Sequence, residues 1–205
     1  MGRYLGPKCR LCRREGVKLY LKGERCNLPK CPVEKKNSAP PGVHKFKYKK
    51  QSAYGVQLRE KQKLKSIYFV FEKQLKNYYL EALKTKGDSG EHLLQLLERR
   101  LDNVVYKAAL AKSRMQARQL VKHGAILVDG KKVSIPSYQT KPGQVISLSA
   151  KSLGFKTVKE IMEAKGKTPA WMEKKAHAVK IMRMPTRDDI GFEINDQLIV
   201  EFYSR

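Results

Sequence analysis

Four cysteines, the only ones in the chain, lie close together near the amino terminus, at Cys9, Cys12, Cys26 and Cys31. Two residues separate the first pair, 13 residues separate the two pairs, and four separate the second pair. Two close pairs joined by such a loop are typical of a tetrahedral zinc site, because each tight turn can present two thiolates. The spacing therefore predicts a structural zinc ion held by all four thiolates, with no position left open for catalysis.

Alternative roles for the four cysteines fit the sequence less well. Two disulfides are disfavoured in a reducing compartment. An iron–sulfur cluster stays a minor alternative, although the spacing differs from the tight ferredoxin run. Four unrelated buried cysteines would not be confined to one short segment. Since such a segment buries little apolar surface, zinc would supply its folding free energy.

The charge of the chain is unusually positive, with 44 Lys and Arg against 19 Asp and Glu in 205 residues, a net charge of +25. About +2 to +8 would keep a small domain soluble, so the excess predicts a polyanionic partner, with nucleic acid ahead of a membrane surface. Residues 1–50 hold 15 of the basic residues and only three acidic ones. The last 21 residues hold two basic and five acidic residues, which favours contact with protein at that end.

A membrane partner is disfavoured by the pattern of apolar residues. No apolar run approaches the roughly 18 residues that a spanning helix needs, and the first residues lack a signal core. Gly2 is followed by Gly6 where a myristoylation pattern requires Ser or Thr. The sequence therefore predicts a cytoplasmic protein with no membrane partner and no small-molecule substrate.

Two basic stretches of the amino-terminal part are candidates for RNA contact. The first comprises the arginines that surround the first cysteine pair, namely Arg3, Arg10, Arg13 and Arg14. The second follows Pro40-Pro41-Gly42, where aromatic residues alternate with Lys45, Lys47, Lys49 and Lys50. Lysines of this kind contact phosphates and aromatic rings stack on unpaired bases. For the second stretch, a solvated linker whose aromatic residues pack on the next helix is the less favoured alternative.

The elements that follow are indicated by hydrophobic periodicity. One helix is predicted over 52–85 with Ser52 as N-cap, and another begins at 91 and runs to about 111. A shorter helix begins at Ser113, which forms a capping box with Gln116, and ends at Gly124. A hairpin turning at Asp129-Gly130 and a strand from Val145 complete the pattern.

Basic residues gather on this last group of elements. Arg114, Arg118 and Lys122 recur every four residues along the helix, and Lys131 and Lys132 follow the hairpin turn. A stripe of this kind is often only a solvated helix face. Beside the hairpin lysines it forms a basic surface that suits an RNA backbone, with Ser113 and Gln116 at its start.

The run ERRLDNVVYKAALAKSRMQARQLVKHGAILVDGKKVSIPSYQTKPGQVISL resembles the RNA-binding module of the S4 family. The resemblance extends to MGRYLGPKCRLCRREGVKLYLKGERC, PPGVH, YGVQLREKQKLKSIY and INDQLIVEFYSR, and so covers nearly the whole chain. It implies a two-lobed small-subunit ribosomal protein that binds the 5′ domain of 16S rRNA early in assembly. It also implies a place at the channel through which mRNA enters, contacts with neighbouring ribosomal proteins, and, in some members, zinc on these cysteines.

Within the resemblance, single residues acquire expected roles. Ser113, Arg114 and Arg118 match the helix that faces RNA in the family. Lys45, Lys47, Lys49 and Lys50 match the segment that faces mRNA, although arginines are common there and lysine lacks the bidentate phosphate geometry of arginine.

An enzymatic function is not expected. Arg100-Leu101-Asp102 is superficially similar to the sequence around the catalytic aspartate of pseudouridine synthases, which carry the same module. Asp102, however, lies inside the predicted helix, and the remaining residues leave no room for a catalytic domain. An RNA chaperone built on the module is a further alternative, but it would need neither the cysteines nor the acidic end.

The predicted fold is mixed, predominantly α with a small β component. Residues 1–44 form a zinc-binding basic arm, residues 45–91 a helical lobe completed by 178–205, and residues 92–177 the RNA-binding module with the segment that follows it. Residues 178–205 are predicted to return as a strand with Ile194, Leu198, Val200 and Phe202 on its apolar side.

Overall fold

The computed structural model describes residue 2 and residues 4–34, 39–42, 50–163 and 168–205. The chain divides into two compact units, Met1–Gly90 with Ile194–Arg205, and Glu91–Glu193. Helices occur in both units and an antiparallel sheet occurs in the second, which confirms the mixed fold class. Within these described ranges, no helix is both long and apolar enough to cross a bilayer.

The first unit is built from helices and one short 3-10 turn at Gly23–Asn27. Its helices are α1 (Lys8–Glu15), α2 (Ala53–Tyr68), α3 (Glu72–Ala82) and α9 (Asp196–Tyr203). Ser52 caps α2 as predicted, since its hydroxyl accepts a hydrogen bond from the Gly55 backbone N–H at 3.2 Å.

The single helix predicted over residues 52–85 is wrong, because the chain turns between α2 and α3. Phe69 adopts a left-handed conformation with φ 52° and ends α2. Phe69 and Val70 are nevertheless buried, so the apolar pattern continues through the turn. Gln74 then accepts a hydrogen bond from the Phe71 backbone N–H at 3.5 Å, at the start of α3.

The carboxyl terminus is a helix, and the prediction of a strand is wrong. Asn195 caps α9 by accepting a hydrogen bond from the Leu198 N–H at 3.3 Å. Ile199 is fully buried, and Phe202 and Tyr203 follow it at helical spacing. Packing of one helical face against α2 and α3 determines the structure of this segment, so Ile194, Leu198, Val200 and Phe202 do not form one side of a strand.

A polar and aromatic cluster attaches α9 to α2 and α3. The Glu72 carboxylate accepts hydrogen bonds from Lys61 at 2.6 Å, from the Tyr203 hydroxyl at 2.8 Å and from Lys65 at 3.2 Å. The ammonium of Lys61, which is buried, lies 4.1 Å from the centre of the Phe202 ring. Glu72 therefore joins three helices of the first unit.

Glu72 should make the stability of the first unit pH-dependent. Burial alone raises its pKa, but the hydrogen bonds from Lys61, Tyr203 and Lys65 outweigh burial and lower it. A folded pKa below the unfolded value of about 4.3 adds stability above that pH, and the gain is lost as pH falls through the folded pKa. We expect Glu72→Gln to lower the free energy of unfolding at neutral pH, and the difference from the parent to shrink as pH falls below about 4.3 and through the lowered folded pKa.

Chemical denaturation at several pH values measures this difference. Glu81→Gln, on the exposed side of α3, is the matched control and should leave the free energy of unfolding nearly unchanged. A Glu72→Gln effect that stayed constant from neutral to acid pH would contradict the expected role of the carboxylate.

The second unit places helices on a five-stranded antiparallel sheet with strand order β2-β1-β3-β5-β4. The strands are β1 (Ile126–Val128), β2 (Lys131–Lys132), β3 (Val145–Leu148), β4 (Met172–Lys175) and β5 (Ala178–Ile181). The helices are α4 (Ser89–Glu98), α5 (Leu101–Lys107), α6 (Arg114–Lys122), α7 (Ala150–Leu153) and α8 (Lys156–Glu163). The predicted hairpin at Asp129-Gly130 and the predicted strand from Val145 are both confirmed.

Two predicted boundaries differ from the structure of the second unit. Residues 178–193 were assigned to the carboxyl-terminal return, but β5 pairs with β3 and β4 inside this sheet. The helix predicted from 91 to about 111 is interrupted at Arg99 and Arg100. There the Thr140 N–H donates to the Arg99 carbonyl at 3.0 Å, and the Leu101 N–H donates to the Tyr138 carbonyl at 2.9 Å. Residues 138–140 therefore form hydrogen bonds with the Arg99 carbonyl and the Leu101 N–H, which in a continuous helix would bond within the helix.

Candidate RNA interface and cysteine cluster

The four cysteines lie on or just after two short elements of the first unit. Cys9 and Cys12 belong to α1, Cys26 belongs to the 3-10 turn, and Cys31 follows it. Cys12, Cys26 and Cys31 are buried, Cys9 is half-buried, and all four are free of disulfides. A short loop, residues 17–22, joins the two cysteine-bearing elements; we call it the cysteine loop.

The cysteine loop donates backbone hydrogen bonds to two of the sulfur atoms. The Lys22 N–H donates to Cys26 Sγ at 3.3 Å, and the Leu19 N–H donates to Cys12. Burial raises the pKa of the Cys12 thiol, the Leu19 N–H opposes that rise, and the other three cysteines add to it. The four sulfur atoms therefore lie in one electrostatic neighbourhood.

The chemistry of these donors fits zinc, because four thiols share one neighbourhood and backbone N–H groups donate to two of the sulfur atoms. In the part of the chain that the structure describes, no three His, Cys, Asp or Glu side chains are grouped closely enough to hold a metal ion. The zinc site therefore stays a prediction based on the identity and spacing of the cysteines.

The arginines of the arm have different surroundings. Arg10 and Arg14 are exposed on α1. Arg13 is half-buried and its guanidinium donates to the Ala39 carbonyl at 2.8 Å and to the Pro40 carbonyl at 3.4 Å. Arg13 therefore holds residues 39 and 40 against α1, and Arg3 lies outside the described residues.

The predicted basic stripe of α6 is mostly directed inward. Arg118 is 6% exposed and donates to Asp102 Oδ2 at 3.2 Å. Arg100 is fully buried and makes a bidentate pair with the same carboxylate, at 2.8 and 3.1 Å. The interpretation of Asp102 as a structural polar residue thus agrees with its position between two buried arginines.

Arg114 takes part in a second buried network next to the first. It is 8% exposed, donates to Asn103 Oδ1 at 2.8 Å and stacks over the Tyr106 ring at 4.6 Å. Asn103 in turn donates to the buried Glu98 carboxylate at 2.8 Å. Arg114 and Arg118 therefore correct the picture of an exposed stripe, because their charges are used to fix α6 on α5.

The exposed surface of α6 and of the neighbouring hairpin is formed by other residues. It comprises Gln119, Lys122, His123, Lys131 and Lys132, all exposed; we call it the basic ridge. Gly124 has φ +69°, and a Cβ there would collide with the Lys132 side chain. The left-handed turn favours glycine here, whereas the exposed end of the Lys132 side chain can move aside.

The two polar residues predicted at the start of α6 cap the helix. The Ser113 hydroxyl accepts from the Gln116 N–H at 3.3 Å, as predicted. The Gln116 side chain accepts from the Lys112 N–H at 2.8 Å, one residue before the N-cap. Their contacts with RNA stay predictions, as do those of the basic ridge.

The lysines predicted to face mRNA fall almost entirely outside the described residues. Lys45, Lys47 and Lys49 lie there, while Lys50 is described and exposed.

The sequence predicts an internal polar role for Asp102 but not the buried networks that Asp102 and Asn103 form with the arginines. A signal was present, because Glu98, Arg100 and Asn103 interrupt an apolar helical stripe, as Asp102 does. Polar residues on such a stripe are typical of internal pairing.

Comparison with known proteins covers the whole chain. Residues 3–98 match the ribosomal protein S4/S9 N-terminal domain, and residues 99–146 match the S4 domain. Small ribosomal subunit protein uS4 from Thermoanaerobacter sp. (strain X514) is 53% identical over 207 residues, 100% of each chain. The proteins of the same name from Thermus thermophilus and Halothermothrix orenii are 51% and 52% identical, again over 100% of each chain.

These relatives confirm the resemblance to the S4 family over the full length of the chain. Ribosomal proteins of this kind are structural constituents of the cytoplasmic ribosome and are not enzymes, in agreement with the predicted location and class. The chain belongs to the uS4 family of small ribosomal subunit proteins.

Proposed function

We propose that this chain is a primary 16S rRNA-binding protein that nucleates assembly of the small subunit. The observation that supports this most strongly is the basic ridge, whose lysines are exposed while the neighbouring arginines are buried. The charge of +25 would be self-repelling without a polyanion to neutralise it. Phosphate contacts of this kind position a protein on RNA without reading its sequence.

The proposed role of the amino-terminal arm is to hold rRNA from a zinc-stabilised fold. Cys9, Cys12, Cys26 and Cys31 would hold the ion, with an iron–sulfur cluster as the less favoured alternative. The ion supplies a cross-link between α1 and the 3-10 turn, and no reaction. Arg10 and Arg14, both exposed on α1, are the proposed phosphate contacts of this arm.

Two further contacts belong to the proposal. The segment with Lys45, Lys47, Lys49 and Lys50 lines the channel through which mRNA enters, and thereby contributes to translational accuracy. The acidic carboxyl-terminal end contacts neighbouring small-subunit proteins, since five acidic residues in the last 21 would repel RNA. The first role is supported by the resemblance of the segment to the mRNA-facing segment of the family.

The basic ridge predicts a definite change in salt dependence. Each phosphate contact contributes about −0.9 to the slope of log K against log salt on a duplex and about −0.7 on a single strand. We expect Lys131→Gln with Lys132→Gln to reduce the magnitude of the slope by roughly 1.4 to 1.8. Affinity for a 16S rRNA transcript is measured over a range of salt concentrations.

The matched control for the ridge is Lys175→Gln, an exposed lysine on β4 that pairs with Glu173 at 3.0 Å. It removes one positive charge away from the ridge, half of what the ridge variant removes, and should leave the slope unchanged. Equal slopes for the ridge variant and the parent would show that the ridge does not contact phosphate.

The function itself is tested by crosslinking the protein to RNA in living cells and sequencing the recovered RNA. The proposal expects one dominant footprint on 16S rRNA at ribosome stoichiometry. Recovery spread over tRNA or large-subunit fragments would contradict it.

A further inference from the structure

One residue of the cysteine loop has a conformation that the fold does not explain. Tyr20 has φ +52°, a conformation that bulky side chains rarely adopt. Four other non-glycine residues of the described chain share positive φ, namely Phe69, Ala109, Asp129 and Ala176. Phe69 and Ala109 follow the ends of α2 and α5, and Asp129 and Ala176 lie in hairpin turns. Tyr20 lies at neither kind of position.

The ring of Tyr20 is directed outward, although its neighbours are directed inward. Leu19 and Leu21 are each 3% exposed, whereas Tyr20 is 43% exposed. Exposing a large ring while burying the residues on both sides gains nothing for the core. Strain held at an exposed position is typical of residues that meet a ligand.

The cysteine cluster holds the backbone on both sides of Tyr20. The Leu19 N–H donates to Cys12 on one side, and the Lys22 N–H donates to Cys26 on the other at 3.3 Å. The ring is therefore presented from a loop clamped at two sulfur atoms. Such preorganisation reduces the entropy lost when the ring meets a partner.

Exposed cations follow Tyr20 in the sequence. Lys22 and Arg25 are exposed two and five residues after it, with exposed Glu24 between them, and Lys18 is paired with Glu34. An exposed aromatic ring among exposed cations is the arrangement that binds unpaired nucleotides, since the ring stacks on a base while the cations meet the phosphates. A hydrophobic protein partner would be expected to meet fewer cations.

We propose that Tyr20 stacks on an unpaired base of 16S rRNA and that the cysteine loop exists to present it. This inference rests on the proposed rRNA binding. It adds a base contact, made by the Tyr20 ring, to the phosphate contacts proposed for the amino-terminal arm. The stacking holds an unpaired base without reading its identity, whereas the arginines of α1 contribute charge.

Substitution by asparagine separates stacking from backbone strain. Asparagine tolerates positive φ well, so Tyr20→Asn removes the ring and relieves the strain. We expect its affinity for a 16S rRNA transcript to fall by roughly 5- to 150-fold, with an unchanged salt slope, because no phosphate contact is lost. Tyr20→Phe keeps the ring and should bind like the parent.

Chemical probing of the bound transcript gives an independent readout. A nucleotide protected by the parent and by Tyr20→Phe should become reactive with Tyr20→Asn, while the remaining protections persist. Unchanged affinity of Tyr20→Asn for the naked transcript would overturn the proposal. If the variant then showed a defect only in complete subunits, Tyr20 would contact a protein and not RNA. A parent that fails to bind the transcript in a salt-dependent manner would instead refute the proposed function.

Discussion

Asp102→Asn is expected to lower the free energy of unfolding of the second unit by about 3–5 kcal/mol, the range found when one partner of a buried ion pair is removed. The carboxylate is 5% exposed and accepts hydrogen bonds from Arg100 and Arg118, which are themselves 0% and 6% exposed. Asparagine keeps the shape of the side chain but removes the negative charge that offsets two buried cations.

The measurement uses denaturant unfolding followed by the fluorescence of Trp171. This is the only tryptophan in the chain, it is fully buried, and it belongs to the core of the second unit. Glu173→Gln is the matched control, because it neutralises an exposed ion pair, typically worth about 0–1 kcal/mol.

A second variant tests the origin of the loss. Arg118→Met in the Asp102→Asn background removes one of the two buried cations and should recover part of the lost stability. If Asp102→Asn were no more destabilising than Glu173→Gln, the network would not be the element that fixes α6 on α5.

Cys9→Ser together with Cys12→Ser is expected to abolish zinc binding and to loosen the amino-terminal arm without unfolding the second unit. Structural zinc in small sites contributes about 10–16 kcal/mol of apparent binding free energy, far more than the arm can gain from burying Leu19 and Leu21. Removing two of four thiolates leaves too few ligands for a closed tetrahedral site.

Metal analysis of the purified protein gives the zinc content, and limited proteolysis reports the order of the arm. The parent should hold one zinc ion per chain, and a chelator should make it as protease-sensitive as the double variant. Trp171 fluorescence should stay unchanged in both, since that residue lies in the other unit. A double variant with the protease resistance of the parent would show that zinc is absent or unimportant.

The elements that could be predicted from the sequence are those whose signals are local. The hairpin at Asp129-Gly130 depends on two adjacent residues that adopt positive φ, at 49° and 77°. The caps at Ser52 and Ser113 depend on a hydroxyl three residues before an N–H group. Such features need no information from the rest of the fold.

The features that were wrong depend on partners distant in the sequence. The interruption at Arg100 requires the backbone of residues 138–140, and the helix of residues 196–203 requires α2 and α3. The same limit applies to the candidate site. Periodicity placed Arg114, Arg118 and Lys122 on one face, but it could not show that Asn103 and Asp102 would meet the first two.

Both ends of the chain belong to the first unit, and the second unit is inserted between them. A ribosome synthesises this protein from the amino terminus, so the whole of the second unit is made before α9. The Gln57 amide donates a hydrogen bond to the Glu201 carboxylate at 2.8 Å. This bond cannot form until 144 further residues have been added after Gln57. At about 5–20 residues per second, this delay lasts several seconds to half a minute. The first unit therefore stays incomplete throughout the synthesis of the second, and α9 closes the lobe that residues 1–90 began.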